Sequence, residues 1–264
     1  MSDAGKWGDL APRLISGAVM AVGGLTLVWM GGPWFAGLAI VAGALMIWEL
    51  ARMTDPGRPA EALLLAAAAA VILSTILVSH NPYHLPLLMV PTLFGLLRPK
   101  RPMRLAFVLY AAMVMIASYG LVAFREGYGL LWLLWLVLVV VVTDIAGYFA
   151  GRIFGGPKFW PRFSPKKTWS GTVAGWIAAA LIGLVFLRLS TAGIDLLWIS
   201  ALLAFASQLG DIAESAIKRK AGVKDSSNLI PGHGGLMDRF DGLLGAALFM
   251  LLVAQLTDVP VVRF

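Results

Sequence analysis

The chain alternates long apolar runs with short polar breaks. Nine runs stand out, at roughly 14–31, 33–51, 62–79, 83–97, 105–124, 130–151, 171–189, 194–210 and 242–257. A helix needs about 20 apolar residues to cross a bilayer core, so each run predicts a transmembrane helix. The expected fold class is all-α: a polytopic integral membrane protein of about nine transmembrane helices. The fourth run is the shortest and is interrupted by Pro86 and Pro91, which remove backbone donors and weaken it as a helix. Asp55-Pro56-Gly57 and Arg98-Pro99-Lys100 read as turns between spans. Trp29, Trp34, Trp48, Trp132, Trp135 and Trp198 fall near predicted span ends, where interfacial aromatic anchors are expected.

Composition agrees. Of 264 residues, 59% are hydrophobic and 13% charged, against about 25% charged in soluble domains. The first apolar run lacks a small-residue cleavage pattern, so no cleavable signal peptide is expected. Cysteine is absent, which excludes disulfides and thiolate metal sites. The net charge of +7 reads as topology rather than nucleic-acid binding. Of the 21 Lys and Arg residues, only Arg125, Arg188 and Arg263 fall in one set of alternate loops, and the other 18 fall in the opposite set. Positive loops stay inside. The N-terminus and the segment 211–241 are therefore expected on the cytoplasmic side, and the C-terminus on the opposite side.

No repeat or low-complexity linker marks a boundary, yet the chemistry changes along the chain. Residues 1–140 keep their polar groups mostly in short loops. They are expected to supply membrane helices, packing and a groove for lipid. Ala66–Ala70 and the glycines at 17, 23, 24, 37 and 43 suit close helix packing. From Thr143 onward charge enters the spans, so residues 141–264 are expected to carry catalysis.

Three polar clusters carry that expectation. The first, TDIAGYFAGR at 143–152, closes the apolar run LWLLWLVLVVVV. Asp144 could pair with Arg152, but intramembrane acids usually line a polar cavity. Asp144 and Tyr148 are four apart and share a helix face, as do Gly147 and Gly151. The second, SPKKTWSGT at 164–172, stands before the seventh run. Lys166 and Lys167 alone would be explained by topology. Together with Ser164, Thr168, Ser170 and Gly171 at a helix start they suit a phosphate. No GxxxxGK[ST] occurs, which counts against a P-loop nucleotide site.

The third cluster runs from Ser207 to Asp241. If helix continues past the eighth run, Asp211, Glu214, Ser215 and Lys218 form one stripe at i, i+3, i+4 and i+7. Pro231-Gly232-His233-Gly234-Gly235 breaks the helix, and Asp238 and Asp241 open the ninth run. Carboxylates separated in sequence and gathered at one membrane face suit a hard divalent cation. Interleaved Lys and Arg suit polyphosphate. So many ionisable groups in an apolar chain would cost free energy without such a use.

The stretch SAIKRKAGVKDSSNLIPGHGGLMDRFD at 215–241 resembles the signature of the phosphatidate cytidylyltransferase family, the CDP-diacylglycerol synthases. The matching positions are Ser215, Lys218-Arg219, Lys224-Asp225, Pro231, His233-Gly234-Gly235, Asp238-Arg239 and Asp241. SPKKTWSG at 164–171 and DIAGYFAGRIFG at 144–155 also resemble that family's bacterial members. The resemblance implies reaction of CTP with phosphatidate at the cytoplasmic face of the bacterial cytoplasmic (inner) membrane. The products would be CDP-diacylglycerol, for phospholipid biosynthesis, and pyrophosphate.

The resemblance also implies Mg²⁺, with a second cation as an option. Asp211 and Asp238 are the first metal-ligand candidates, with Asp241 and Asp144 behind them. Lys166, Lys167, Lys218, Arg219 and Lys224 would contact phosphates, with Ser164, Thr168, Ser170, Ser215 and Arg239 on the substrate side. Asp225 falls with the catalytic group, and His233 either contacts phosphate or orders the Gly-rich turn. Membrane enzymes of this kind commonly dimerise, so a homodimer is an expectation.

Other readings compete. A CTP-dependent polyprenol kinase or an ether-lipid cytidylyltransferase would share the fold. A CDP-alcohol phosphotransferase needs DGxxAR, whereas Asp241-Gly242 is followed by Leu-Leu-Gly-Ala. A transporter would predict inverted repeats and midplane charges, and neither is visible.

Overall fold

The computed structural model describes residues 10–257, with side chains from Ile15 onward. Lys6 and Arg263 of the charge count, the side chain of Arg13 and both chain ends lie outside the described residues. Nine α-helices among the described residues account for the nine apolar runs: α1 Leu10–Met30, α2 Gly32–Thr54, α3 Pro59–Ser79, α4 Val90–Leu97, α5 Arg104–Tyr128, α6 Leu130–Phe154, α7 Trp169–Leu189, α8 Asp195–Ala221 and α9 Met237–Leu256. Among the described residues, seven of these (α2, α3 and α5 to α9) are long and apolar enough to cross a membrane. Ile15–Met30 and Pro82–Leu97 are shorter apolar segments. The protein is an all-α polytopic membrane protein.

The fourth run departs from a plain span. Asn81 caps it by accepting from Tyr83 N at 3.0 Å. A 3-10 helix then runs over Pro82–Met89 with Pro86 inside it. Pro86 and Pro91 cannot donate, so only the eight residues of α4 become α-helical. A second departure is a hairpin within the polar loop, β1 Lys158–Trp160 paired antiparallel with β2 Ser164–Thr168.

The chain forms two compact units, residues 1–122 with 220–240 and residues 123–219 with 241–264. These units are defined by packing, whereas the division expected at residue 140 is one of chemistry. In the first unit, α2 packs on α3, and Met46, Ile47 and Leu50 of α2 and Ala62, Leu65 and Leu73 of α3 are all buried. Gly43 makes room there: a Cβ would stand 2.7 Å from Ser118 Oγ and 2.9 Å from Leu73 Cδ1.

In the second unit, α6 packs on α7. Trp135, expected at an interface, is instead fully buried and donates its indole N–H to Ser200 Oγ at 3.1 Å. Trp132 is buried beside it, edge-on at 5.6 Å. An indole pays for burial only with a partner for its N–H, and Ser200 supplies one. Trp29, Trp34 and Trp198 are exposed, as anchors should be.

Candidate active site

Within the second unit, α6, β2, α7 and α8 enclose a cavity of about 490 Å³. Small-molecule sites fall in the range of about 300–1,000 Å³. Asp144, Gly147, Tyr148, Gly151 and Arg152 come to it from α6. Lys166, Lys167 and Thr168 come from β2, Gly171 and Thr172 from α7, and Gln208 and Asp211 from α8. The first two polar clusters and the Gln208–Asp211 start of the third thus meet at one cavity, which residues 212–241 do not line. Close approach of α6 and α7 makes this geometry. A Cβ on Gly171 would lie 2.5 Å from Gly147 O, and one on Gly151 would lie 2.9 Å from Thr168 Oγ1.

The predicted α8 stripe forms, because the helix runs eleven residues past the eighth apolar run. Ser215 Oγ donates to Asp211 Oδ1 at 3.2 Å, and Lys218 Nζ to Glu214 Oε2 at 2.9 Å. Lys167 Nζ reaches Asp211 Oδ2 at 2.5 Å. Arg152 donates to Tyr148 Oη at 2.9 Å, and among the described residues no ion pair joins it to Asp144. Thr168 is the N-cap of α7: its Oγ1 accepts from Gly171 N at 3.2 Å. Ser170 Oγ donates to Gly155 O at 2.5 Å. Both hydroxyls therefore also hold the turn into α7. Ser164 opens β2 opposite Trp160, and Arg219 is exposed near the end of α8.

Asp241, on the first turns of α9, accepts from Gly242 N at 2.7 Å. Its carboxyl faces Glu214 and Asp211. Glu214 is fully buried, and its Oε1 has no donor.

The signature loop lies in the first unit. Ile230-Pro231-Gly232-His233 is a tight turn closed by His233 N donating to Ile230 O at 2.9 Å. Gly232 stands at φ 74° in it, and Pro followed by a positive-φ Gly is the requirement of a type II turn. Ile230 N then donates to Gly234 O at 2.8 Å. His233 Nδ1 lies 2.8 Å from Ser16 Oγ, which also donates to Pro231 O at 3.0 Å. Arg239 donates to His233 O from both Nε and a terminal nitrogen, at 3.1 and 2.6 Å. Lys224 and Asp225 are exposed.

Asp238, a predicted metal ligand, spends its Oδ2 on three donors: Ser226 N at 2.8 Å, Ser226 Oγ at 2.9 Å and Gly235 N at 2.8 Å. A second carboxylate holds the same loop, and the sequence reading passed it over. Glu49 on α2 is fully buried. It accepts from Leu236 N (2.8 Å), Met237 N (2.7 Å) and Ser227 Oγ (2.5 Å), and the Ser226 hydroxyl, whose one proton lies nearer Asp238, stands 3.3 Å from it. The available signal was a single acid inside an apolar run, LMIWELA, which on physical grounds marks a function.

Among the described residues, no group of three or more His, Asp or Glu side chains is set to hold a metal ion alone. The donor set nonetheless fits Mg²⁺. That ion uses one or two carboxylates together with substrate phosphates and retained waters, and Glu214, paired with Lys218 through Oε2, keeps a buried Oε1 on the side of Asp241.

Known proteins place the chain further. The model of the cytidylyltransferase family matches residues 11–257. A phosphatidate cytidylyltransferase of Brucella suis is 36% identical, covering 96% of this chain and 97% of its own. One of Brucella abortus is 35% identical over 96% of both. One of Bacillus subtilis is 40% identical over half of each chain. A match of this extent to the family model, with full-length relatives, means that this chain belongs to the cytidylyltransferase family.

Proposed function

We propose that the protein transfers the cytidylyl group of CTP to phosphatidate, giving CDP-diacylglycerol and pyrophosphate. The observation that carries this reading is the convergence of Lys166, Lys167, Arg152, Asp144 and Asp211 on one cavity. It occurs in a chain whose full-length relatives are phosphatidate cytidylyltransferases. An oxygen of the lipid phosphate forms a bond to the α-phosphorus of CTP, and the bond from that phosphorus to the α,β-bridging oxygen breaks. Its electron pair leaves with pyrophosphate.

Both reactants are anions, so the barrier is largely repulsion and positioning. Lys166, Lys167 and Arg152 lower that repulsion around the cavity, and no side-chain nucleophile is required. Lys218 and Arg219 extend the positive surface along α8, and Lys224 and Arg239 do so in the signature loop. When bound, Mg²⁺ would shield phosphate charge and polarise the reacting phosphoryl group. Asp211, Asp241 and Glu214 are the residues of the second unit that would hold it, and Asp238 is the candidate in the first.

The skew of Lys and Arg supports a cytoplasmic N-terminus in the bacterial inner membrane, with the cavity facing the cytoplasm, where CTP is found. A homodimer is part of this reading. Purified protein supplied with labelled CTP, phosphatidate and Mg²⁺ should release pyrophosphate and form a CDP-lipid. Turnover with a polyprenol but none with phosphatidate would sink the reading.

A further inference from the structure

We propose that Glu49, in the half of the chain otherwise given to membrane packing, is the positioning residue of the signature loop. The proposal rests on the cytidylyltransferase reading only for its kinetic consequence. Its structural content stands on the loop itself.

The first turn of any helix has backbone N–H groups without intrahelical partners. At the start of α9, Met237 N, the first of these donors, and the two N–H groups just before the helix are divided between two carboxylates. Leu236 N and Met237 N go to Glu49, and Gly235 N goes to Asp238. The buried acid of α2 gathers this arrangement: Glu49 takes two backbone donors and the Ser227 hydroxyl at once. Ser226 Oγ joins the two acids, lying 2.9 Å from Asp238 Oδ2 and 3.3 Å from Glu49 Oε2.

Two conclusions follow. Two carboxylates of this chain stand at the positive end of α9, which disfavours a phosphate there despite its glycine-rich approach. The direction of the Asp238 carboxylate is set by Ser226 and Gly235, whose own places depend on Glu49. The space is closed to alternatives. A Cβ on Gly235 would lie 2.0 Å from Ser226 Oγ and 2.5 Å from Glu49 Oε1.

Glu49→Gln keeps the shape but removes the charge and turns an NH₂ toward donors. Hydrogen exchange on the purified full chain should show residues 226–237 exchanging about tenfold faster or more, the loss expected when charge-assisted hydrogen bonds go. The α2–α3 packing should keep its protection. With CTP and phosphatidate, kcat should fall on the order of 100-fold, the scale of a misplaced reacting geometry, while KM for phosphatidate changes little. Ser226→Ala, which removes the shared hydroxyl and leaves Glu49 charged, should move both readouts the same way by less. It serves as the test if Glu49→Gln fails to insert.

Wild-type exchange in 226–237 for both variants would overturn the proposal. So would faster exchange across the whole first unit with normal turnover per folded molecule, since Glu49 would then be structural alone. A wild-type protein without CTP–phosphatidate turnover would refute the proposed reaction and leave the exchange result to decide the role of Glu49.

Discussion

Lys167 Nζ lies 2.5 Å from Asp211 Oδ2, joining the hairpin strand β2 to helix α8 at the wall of the cavity. Without substrate, each group answers the other's charge. A phosphate entering the cavity would compete for Lys167 and release Asp211 to face a cation. Lys167→Met and Asp211→Asn should each lower kcat/KM for CTP by about 10²–10³, the range for removing one preorganised electrostatic partner. Membrane insertion should be unchanged. Radiolabelled turnover in detergent reads this directly, and near-normal kcat/KM in Lys167→Met would reduce the pair to a structural tie.

Asp238 and Asp241 stand three residues apart on α9 yet keep different company. Asp238 Oδ2 gathers three donors of the signature loop, while Asp241 faces Glu214 and Asp211. Asp238→Asn should therefore abolish turnover and also loosen residues 226–237 in hydrogen exchange. Asp241→Asn should abolish turnover with that loop still protected. Identical exchange profiles in the two variants would contradict the division of roles.

Much of this was legible in the sequence because the signals were local. The stripe Asp211, Glu214, Ser215 and Lys218 needed only helical spacing, and Thr168 before Trp169-Ser170-Gly171 read as a helix start. The partners of Glu49 lie 177–188 residues away, so no window of sequence contains them. Trp135 was misplaced because an aromatic near a span end satisfies the anchor pattern whether or not a distant Ser200 meets its N–H. The hairpin over 158–168 escaped notice because SPKKT has neither alternation nor β-branched weight.

Glycine substitution separates packing from chemistry. In the second unit, a Cβ on Gly210 would lie 2.3 Å from Asp241 O, and one on Gly245 would lie 2.3 Å from Ala206 O. Backbone cannot yield as a side-chain tip can, so Gly210→Ala and Gly245→Ala should each destabilise by about 1–3 kcal/mol or more. Gly23→Ala and Gly24→Ala, inside a helix with nothing within 4 Å, should leave the midpoint of thermal unfolding unchanged or raise it slightly. Equal midpoints for all four in detergent would refute this account of α8–α9 packing.

Arg101 supplies the last case, away from the cavity. Its side chain is almost wholly buried, donates to Glu61 at 2.5 Å, and reaches Ala51 O and Thr54 Oγ1 at 3.3 Å each. Its guanidinium lies 3.9 Å from the centre of the Phe107 ring. Burial lowers its pKa from the ordinary value and Asp55 opposes that shift, but a guanidinium stays charged at neutral pH. Glu61, which Arg98 also contacts, supplies the offsetting charge. Arg101→Ala would strand part of that carboxylate and should cost about 3–5 kcal/mol. Arg101→Lys should fall between, because an ammonium cannot reproduce the planar fork or the stacking. Thermal unfolding in detergent should order the three proteins that way, with turnover per folded molecule preserved. Loss of turnover at an unchanged melting point would instead tie this cluster to the reaction.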